Sequence, residues 1–124
     1  MDGIVEHAPA RTAAGTHLII DLNDGRGLDD LLRVETAMRR AVEAAGAHLL
    51  DLHLHHFSPQ GITGVALLAE SHITVHTWPE IGYAAFDAFM CGEADVRAVV
   101  EVFSQAFETG NLTVRAIQRG PAAQ

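Results

Sequence analysis

Apolar and polar positions repeat with two different periods along the chain, and the change of period divides it into elements. THLIIDL, which begins at Thr16, is a short apolar run typical of a buried strand, and NDGRG after it has the composition of a turn. From Leu28 to Ala45 apolar residues recur at three- and four-residue spacing, which predicts an amphipathic helix. Asp29 and Asp30 suit the first turn of this helix, and Gly46 suits its end.

After this helix the period becomes alternating, which predicts a run of four strands. In HLLDLHLHHF the leucines are expected to face one way and the polar residues the other: Leu50, Leu52 and Leu54 against Asp51, His53 and His55. GITGVALLAE and SHITVHTW are the next two strands, the first of them after the turn SPQG. YAAFDAFMC is the fourth strand and has four residues on one face: Tyr83, Ala85, Asp87 and Phe89.

A second helix is expected from about Ala94 to Glu108, and LTVRAI is the last strand. The order β-α-β-β-β-β-α-β predicts a two-layer α/β sandwich, in which an antiparallel-rich sheet carries both helices on one face. The length of 124 residues and the 48% apolar content fit one domain over residues 1–124. Residues 1–15 show no period and are expected to be a loose lead-in.

Composition excludes several classes of function. A net charge of −8 leaves no basic stripe for nucleic acid. No apolar run reaches the roughly 18 residues of a spanning helix, and the N-terminus lacks the layout of a signal peptide, so we expect a cytoplasmic protein without membrane contact. Cys91 is the only cysteine, so no internal disulfide forms. All eight basic residues are arginine, which excludes a lysine imine with pyridoxal phosphate or with a carbonyl substrate.

The histidine-rich strands admit several interpretations. Histidines such as His48, His53 and His55 fit the polar face of a half-exposed sheet. His53 shares a strand face with His55, as His72 does with His76, but no carboxylate or cysteine stands at a zinc spacing, so no metal is expected. A serine hydrolase is disfavoured because the only serine on these strands lacks the GxSxG turn.

A fourth interpretation starts from the Glu70–Ser71 peptide bond. A serine hydroxyl can attack the preceding carbonyl and form an ester, provided that the loop is strained and the oxyanion is stabilised. A base that removes the serine α-proton then expels the ester, and the resulting dehydroalanine loses ammonia to leave a pyruvoyl group. His76 has a suitable side chain for this base, and the Thr63 hydroxyl can position or protonate the attacked carbonyl.

These residues carry a family resemblance. ESHITVHTWPEIGYAAFDAFMCG resembles the signature of bacterial and archaeal S-adenosylmethionine decarboxylase proenzymes, and HHFSPQGITGV resembles the segment before it. The resemblance implies self-cleavage into a β chain, 1–70, and an α chain, 71–124. It also implies that Ser71 becomes the pyruvoyl group that condenses with the substrate amine, that His76 catalyses processing and that Cys91 donates a proton in decarboxylation.

The resemblance extends to substrate and assembly. It implies that Phe57 and Trp78 lie near the adenosyl group, where aromatic faces suit both an adenine and a sulfonium. Glu80 can accept hydrogen bonds from the ribose hydroxyls. The implied product is the aminopropyl donor for spermidine and polyamine biosynthesis, and the implied assembly is a homodimer whose active sites use residues of both partners.

Two departures from the family pattern leave alternatives open. Thr63 stands where the family usually has serine, and NDGRG lacks the aromatic residue and the cysteine often found after the first strand. An ornithine or arginine decarboxylase on the same scaffold is one alternative, which Phe57, Trp78 and Glu80 disfavour. The other alternative is an unprocessed, non-enzymatic relative that binds a nucleoside. The presence of four residues together counts against it: Glu70, Ser71, His76 and Cys91.

Overall fold

The computed structural model describes residues 4–6 and 14–121. The elements in chain order are β1 (Ile4–Glu6), β2 (Gly15–Asn23), α1 (Leu31–Ala45), β3 (Leu49–His56), β4 (Ile62–Leu68), β5 (Ser71–Trp78), a 3₁₀ turn (Pro79–Ile81), β6 (Tyr83–Cys91), α2 (Ala98–Ala106) and β7 (Asn111–Arg119). From β2 onward this is the predicted order. The lead-in predicted to be loose contains the short strand β1, and its residues 1–3 and 7–13 lie outside the described part of the chain.

One sheet of seven strands runs in the order β1-β7-β2-β6-β5-β4-β3. Its pairings are antiparallel except that β1 lies parallel to β7. β5 therefore lies inside the sheet, where β4 and β6 hold it on both sides. The predicted antiparallel-rich α/β sandwich is confirmed.

The hydrophobic core lies between the two helices and one face of the sheet. Alternate residues of the inner strands are buried there, and the rings of Phe86 and Phe103 stack across the layer at 4.0 Å between centroids. Full burial of one such apolar side chain contributes about 1.5–3 kcal/mol. The polar residues that alternate with the core residues consequently point to the opposite, open face of the sheet.

Helix α1 begins later than the predicted Leu28. Asp30 has an extended backbone, and its carboxylate accepts a hydrogen bond from the Arg33 backbone N–H at 3.1 Å, so it is the N-cap. Leu28 is buried in the loop before the helix. Gly46 ends the helix as predicted, with a left-handed φ of 74°.

Helix α2 covers Ala98–Ala106 and is shorter than the predicted 94–108. The Asp95 carboxylate accepts a hydrogen bond from the Arg97 N–H at 3.2 Å, which favours a turn before the helix. Glu108 has a φ of 55° and leaves the helical conformation. The predicted bounds were wrong because apolar spacing continues into the turns at both ends.

Strand β3 contains a bulge that alternation did not reveal. Leu49 pairs with Leu68 and Asp51 with Leu67, so Leu50 is the extra residue. Leu50 is 58% exposed, and the prediction that it shares the core face of the later leucines is wrong. Beyond the bulge the predicted alternation holds, with Leu52 and Leu54 packed against the core.

Candidate active site

The Glu70–Ser71 bond lies at the tip of the β4–β5 hairpin. Leu68 pairs with Ser71, so only Ala69 and Glu70 form the loop. Glu70 has a φ of 62°, in the left-handed region. A residue other than glycine adopts this conformation at a cost of about 1–2 kcal/mol, so backbone strain lies directly beside the bond.

Cys91, at the end of β6, contacts both sides of this bond. Its thiol Sγ lies 2.9 Å from the carbonyl oxygen of Glu70 and donates to it. Its backbone N–H donates to the Ser71 Oγ at 3.3 Å, and the Ser71 Oγ lies 4.0 Å from its sulfur. Hydroxyl, scissile carbonyl and thiol thus form one group, which we name the cleavage cluster (Glu70, Ser71 and Cys91).

A second group occupies the other end of the same strand. Thr63 and His76 are cross-strand neighbours, and Thr63 Oγ1 lies 3.0 Å from His76 Nδ1. The ring of Trp78 lies 6.3 Å from that of His76, and the Tyr83 ring lies 5.3 Å beyond Trp78. Trp78 is 41% exposed on the open face. An imidazole held by a hydroxyl is therefore bordered by aromatic surface that a planar ligand can cover.

Phe57 and Glu80 flank this second group. Phe57 follows β3, and its ring lies 4.4 Å from that of His55, the cross-strand neighbour of Thr63. Its backbone N–H donates to the Gly61 carbonyl at 2.8 Å, which holds the loop. Glu80 is exposed in the 3₁₀ turn, two residues after Trp78. We name the whole group the aromatic cluster, whose members are Phe57, Thr63, His76, Trp78, Glu80 and Tyr83.

The two clusters lie at opposite ends of β5. Ser71 and His76 are five residues apart on one extended strand, which separates their Cα atoms by about 16 Å at roughly 3.3 Å per residue. The odd number of residues also places them on opposite faces of the pleat. Within one chain, therefore, neither His76 nor its cross-strand neighbour Thr63 lies close to the scissile bond, although their roles in processing stay predictions.

Tyr83 was not predicted as a site residue. Its hydroxyl donates a hydrogen bond to the Asp21 carboxylate, which, with partial burial, raises the pKa of Tyr83 to about 12. Asp21 is the one charged residue in the apolar run THLIIDL. A lone carboxylate in such a run is the signal that points to a partner on the sheet face.

Three possible metal ligands also meet on the open face. Atoms of His17, His72 and Asp87 lie within 4.8 Å of one another. Ligand spacing along the sequence does not reveal this group because its members come from three strands, β2, β5 and β6.

Two surface clefts lie along α1 and share Arg40 in their walls. Neither cleft is lined by a residue of the cleavage cluster or of the aromatic cluster. The candidate chemistry therefore lies on the open sheet face and at a hairpin tip. None of the helices in residues 14–121 has the length and apolar content needed to cross a membrane.

The fold defines the class of protein. The chain resembles the solved structure of the adenosylmethionine decarboxylase from Aquifex aeolicus, with a TM-score of 0.83 and 28% identity over 90% of this chain and 95% of that one. A family model described as S-adenosylmethionine decarboxylase matches residues 16–120. The chain belongs to the S-adenosylmethionine decarboxylase family, so the resemblance seen in the sequence is confirmed.

Curated relatives carry the name S-adenosylmethionine decarboxylase proenzyme. The protein of Thermomicrobium roseum is 42% identical over 86% of this chain and 93% of its own length. That of Caldanaerobacter subterraneus is 39% identical over 87% of this chain and 90% of its own length. That of Methanococcus vannielii is 56% identical over 64% of this chain, and the match spans 66% of that protein's length.

Proposed function

We propose that this chain is a self-processing decarboxylase that acts on S-adenosylmethionine through a pyruvoyl group made from Ser71. Cleavage between Glu70 and Ser71 would give a β chain, 1–70, and an α chain, 71–124. The observation that carries the proposal is the left-handed Glu70, whose carbonyl oxygen accepts a hydrogen bond from Cys91 beside the Ser71 hydroxyl. The name proenzyme, borne by the curated relatives, supports a processing step.

Processing follows from this arrangement. The Ser71 Oγ attacks the carbonyl carbon of Glu70, the C–N bond to Ser71 breaks as the Ser71 nitrogen takes up the hydroxyl proton, and an ester links the two chains. The Cys91 thiol donates to the oxygen on which negative charge develops, as an oxyanion-hole group does. A base removes the Ser71 α-proton, and the main-chain carboxylate of Glu70, which is the new end of the β chain, leaves. The dehydroalanine rearranges to an imine, and water releases ammonia and leaves the pyruvoyl group. We infer that His76 is the base.

The chemistry of turnover suits the composition of the chain. A pyruvoyl carbonyl supplies the electron sink that amino-acid decarboxylation requires, and this chain has no lysine to hold another carbonyl cofactor. Cys91 is the only thiol and already borders residue 71. We propose that it returns the proton to the substrate α-carbon, and its free thiol suits the reducing cytoplasm.

A homodimer explains why the two clusters are far apart. In a two-fold dimer the cleavage cluster of one protomer can meet the aromatic cluster of its partner. Symmetry then repeats the same contact with the two protomers exchanged, which gives two equivalent sites. The open face also carries apolar side chains that a second copy would cover: Ile19, Val65 and Leu67 are 36%, 39% and 51% exposed. We therefore propose that His76 and Thr63 act on the Ser71 of the partner.

The aromatic cluster supports the adenosyl substrate. Phe57 and Trp78 are 48% and 41% exposed, so both offer exposed aromatic surface to an adenine or a sulfonium. Glu80, two residues after Trp78, is exposed, and its carboxylate suits the ribose hydroxyls. The product would be the aminopropyl donor for polyamine biosynthesis.

The intact mass of the purified protein tests this function. We expect two chains that result from cleavage between residues 70 and 71, the smaller of which begins with a pyruvoyl group. We also expect CO2 release from S-adenosylmethionine and not from ornithine or arginine. Ser71→Ala should remain one chain, whereas Ser104→Ala on α2 should cleave normally. A single full-length species that releases no CO2 would overturn the proposal.

A further inference from the structure

Asp87 is the centre of a polar network on the open face, outside both clusters. Its Oδ2 lies 2.6 Å from His17 Nε2 and 3.3 Å from His72 Nε2. The Thr74 hydroxyl donates to its Oδ1. The network joins β2, β5 and β6, and its member His72 directly follows the residue at which the chain is proposed to be cut.

The hydrogen bonds of His17 distinguish this network from a metal site. Arg119 Nη1 lies 3.2 Å from His17 Nδ1, and a guanidinium can only donate, so Nδ1 is the acceptor. The proton of His17 then lies on Nε2 and is donated to Asp87. A histidine that binds a metal through one ring nitrogen normally donates the N–H of the other nitrogen to an acceptor. Arg119 is a donor and cannot accept this hydrogen bond.

Asp87 consequently presents a carboxylate to His72. Burial raises the pKa of Asp87, but the hydrogen bonds from Thr74, His17 and His72 outweigh burial and leave the pKa below its ordinary value. The side chains of Asp87 and His72 are 27% and 36% exposed, so solvent screens their contact only in part. The contact is therefore a charge-assisted hydrogen bond between neighbouring strands.

The pairing of β5 indicates what this contact does. Ser71 pairs with Leu68 on β4, whereas the pairing with β6 starts only at His72, opposite Phe89. In the precursor, Ser71 is also held by its peptide bond to Glu70. After cleavage that bond is gone, and residue 71 becomes a chain end, which frays unless something holds it. The contact between His72 and Asp87 is the side-chain anchor next to that end.

We propose that Asp87, held in place by Thr74 and by the His17 that Arg119 contacts, is a positioning residue that fixes the new end of β5 through His72 once the chain is cleaved. The inference rests on the proposed self-processing. It assigns Asp87 a role in the cleaved protein and little role in cleavage itself, because the intact backbone holds Ser71 before the cut. Among the described residues, the side chain of Asp87 has hydrogen bonds to His17, His72 and Thr74 and none to the scissile bond or the aromatic cluster.

Hydrogen exchange measured by mass spectrometry on the first peptide of the α chain tests the role without reference to activity. Asp87→Asn in the cleaved protein should speed exchange of this peptide about tenfold. In the uncleavable Ser71→Ala background the same change should have little effect, because the backbone tether remains. Asp51→Asn, the same chemical change on the exposed edge strand β3, is the control and should alter neither.

A second pair of variants covers the case in which Asp87→Asn does not fold. His72→Gln keeps an N–H donor and should retain most of the exchange protection, whereas His72→Leu should lose it. Cleavage should stay within about twofold of the parent in all of these variants, while kcat falls about tenfold with His72→Leu. Equal loss of protection in the cleaved and uncleavable proteins, or none in either, would overturn the role of Asp87. A parent protein that never cleaves would instead contradict the proposed function.

Discussion

The separation of Ser71 from His76 predicts that cleavage occurs between two protomers. The two residues lie about 16 Å apart along β5, and no rotation of a side chain spans that distance. Ser71→Ala removes the nucleophile and His76→Ala removes the proposed base, so each variant alone should stay uncleaved. A heterodimer of the two unites an intact Ser71 from one protomer with an intact His76 from its partner.

The expected yield follows from two-fold symmetry. One of the two sites in the heterodimer has both residues, and the other has neither, so about half of the chains should cleave in the purified heterodimer. All of the cleaved chains should be the ones that carry His76→Ala. In a random mixture of equal amounts, half of the dimers are heterodimers, so about a quarter of all chains should cleave.

Two affinity tags isolate the heterodimer after coexpression, and intact mass identifies which chain has been cut. Each tagged homodimer, kept under the same conditions, is the control. An uncleaved heterodimer would refute the action of His76 on the partner chain. Cleavage of the His76→Ala homodimer would show that His76 is not the base at all.

Three further predictions concern single residues. Tyr83 is the only tyrosine, so phenolate absorbance should report a folded pKa near 12, and Asp21→Asn should bring the midpoint towards 10; an unchanged midpoint would contradict the pairing. Because this pKa is raised, the hydrogen bond contributes stability in full below pH 10 and loses it as the pH rises towards 12. Glu70→Gly in the Ser71→Ala background should stabilise the precursor against urea by about 1 kcal/mol, since glycine adopts the left-handed conformation freely; destabilisation would argue against strain. Cys91→Ala should slow cleavage about a hundredfold, as followed over time by mass spectrometry. Cys91→Ser keeps a hydrogen-bond donor and should cleave faster than the alanine variant. Equal rates for the parent and the alanine variant would exclude the thiol as oxyanion donor.

The fold followed from local patterns, and its errors have local causes. Apolar runs together with alternating and helical periods predicted every strand and α-helix from β2 onward, because each of them buries one face against a common core. The bulge at Leu50 escaped prediction because an extra residue in a strand depends on the partner strand and not on composition. The late start of α1 arose because Asp30 caps the helix from outside it.

The candidate site was predictable as a set of residues and not as an arrangement. Ser71 and Cys91 were expected to serve the same decarboxylation, and they do lie close together, beside the Glu70 carbonyl. Thr63 and His76 were each expected to act at the Glu70–Ser71 bond, whereas in the structure they contact each other at the far end of β5. That these two groups lie at opposite ends of β5 was not predictable from the motif, since Ser71 and His76 stand only five residues apart in the chain.

By itself the sequence determined the two-layer architecture, the family and the Glu70–Ser71 bond as the place to look for chemistry. These features are encoded in residues close to one another in the chain, where period and motif can be read directly. Tertiary structure alone decided which side chains share a surface, such as His17 with Asp87 and Asp21 with Tyr83, because strands distant in sequence become neighbours in the sheet. It also decided the distance from Ser71 to His76, because an extended strand separates what the sequence prints side by side.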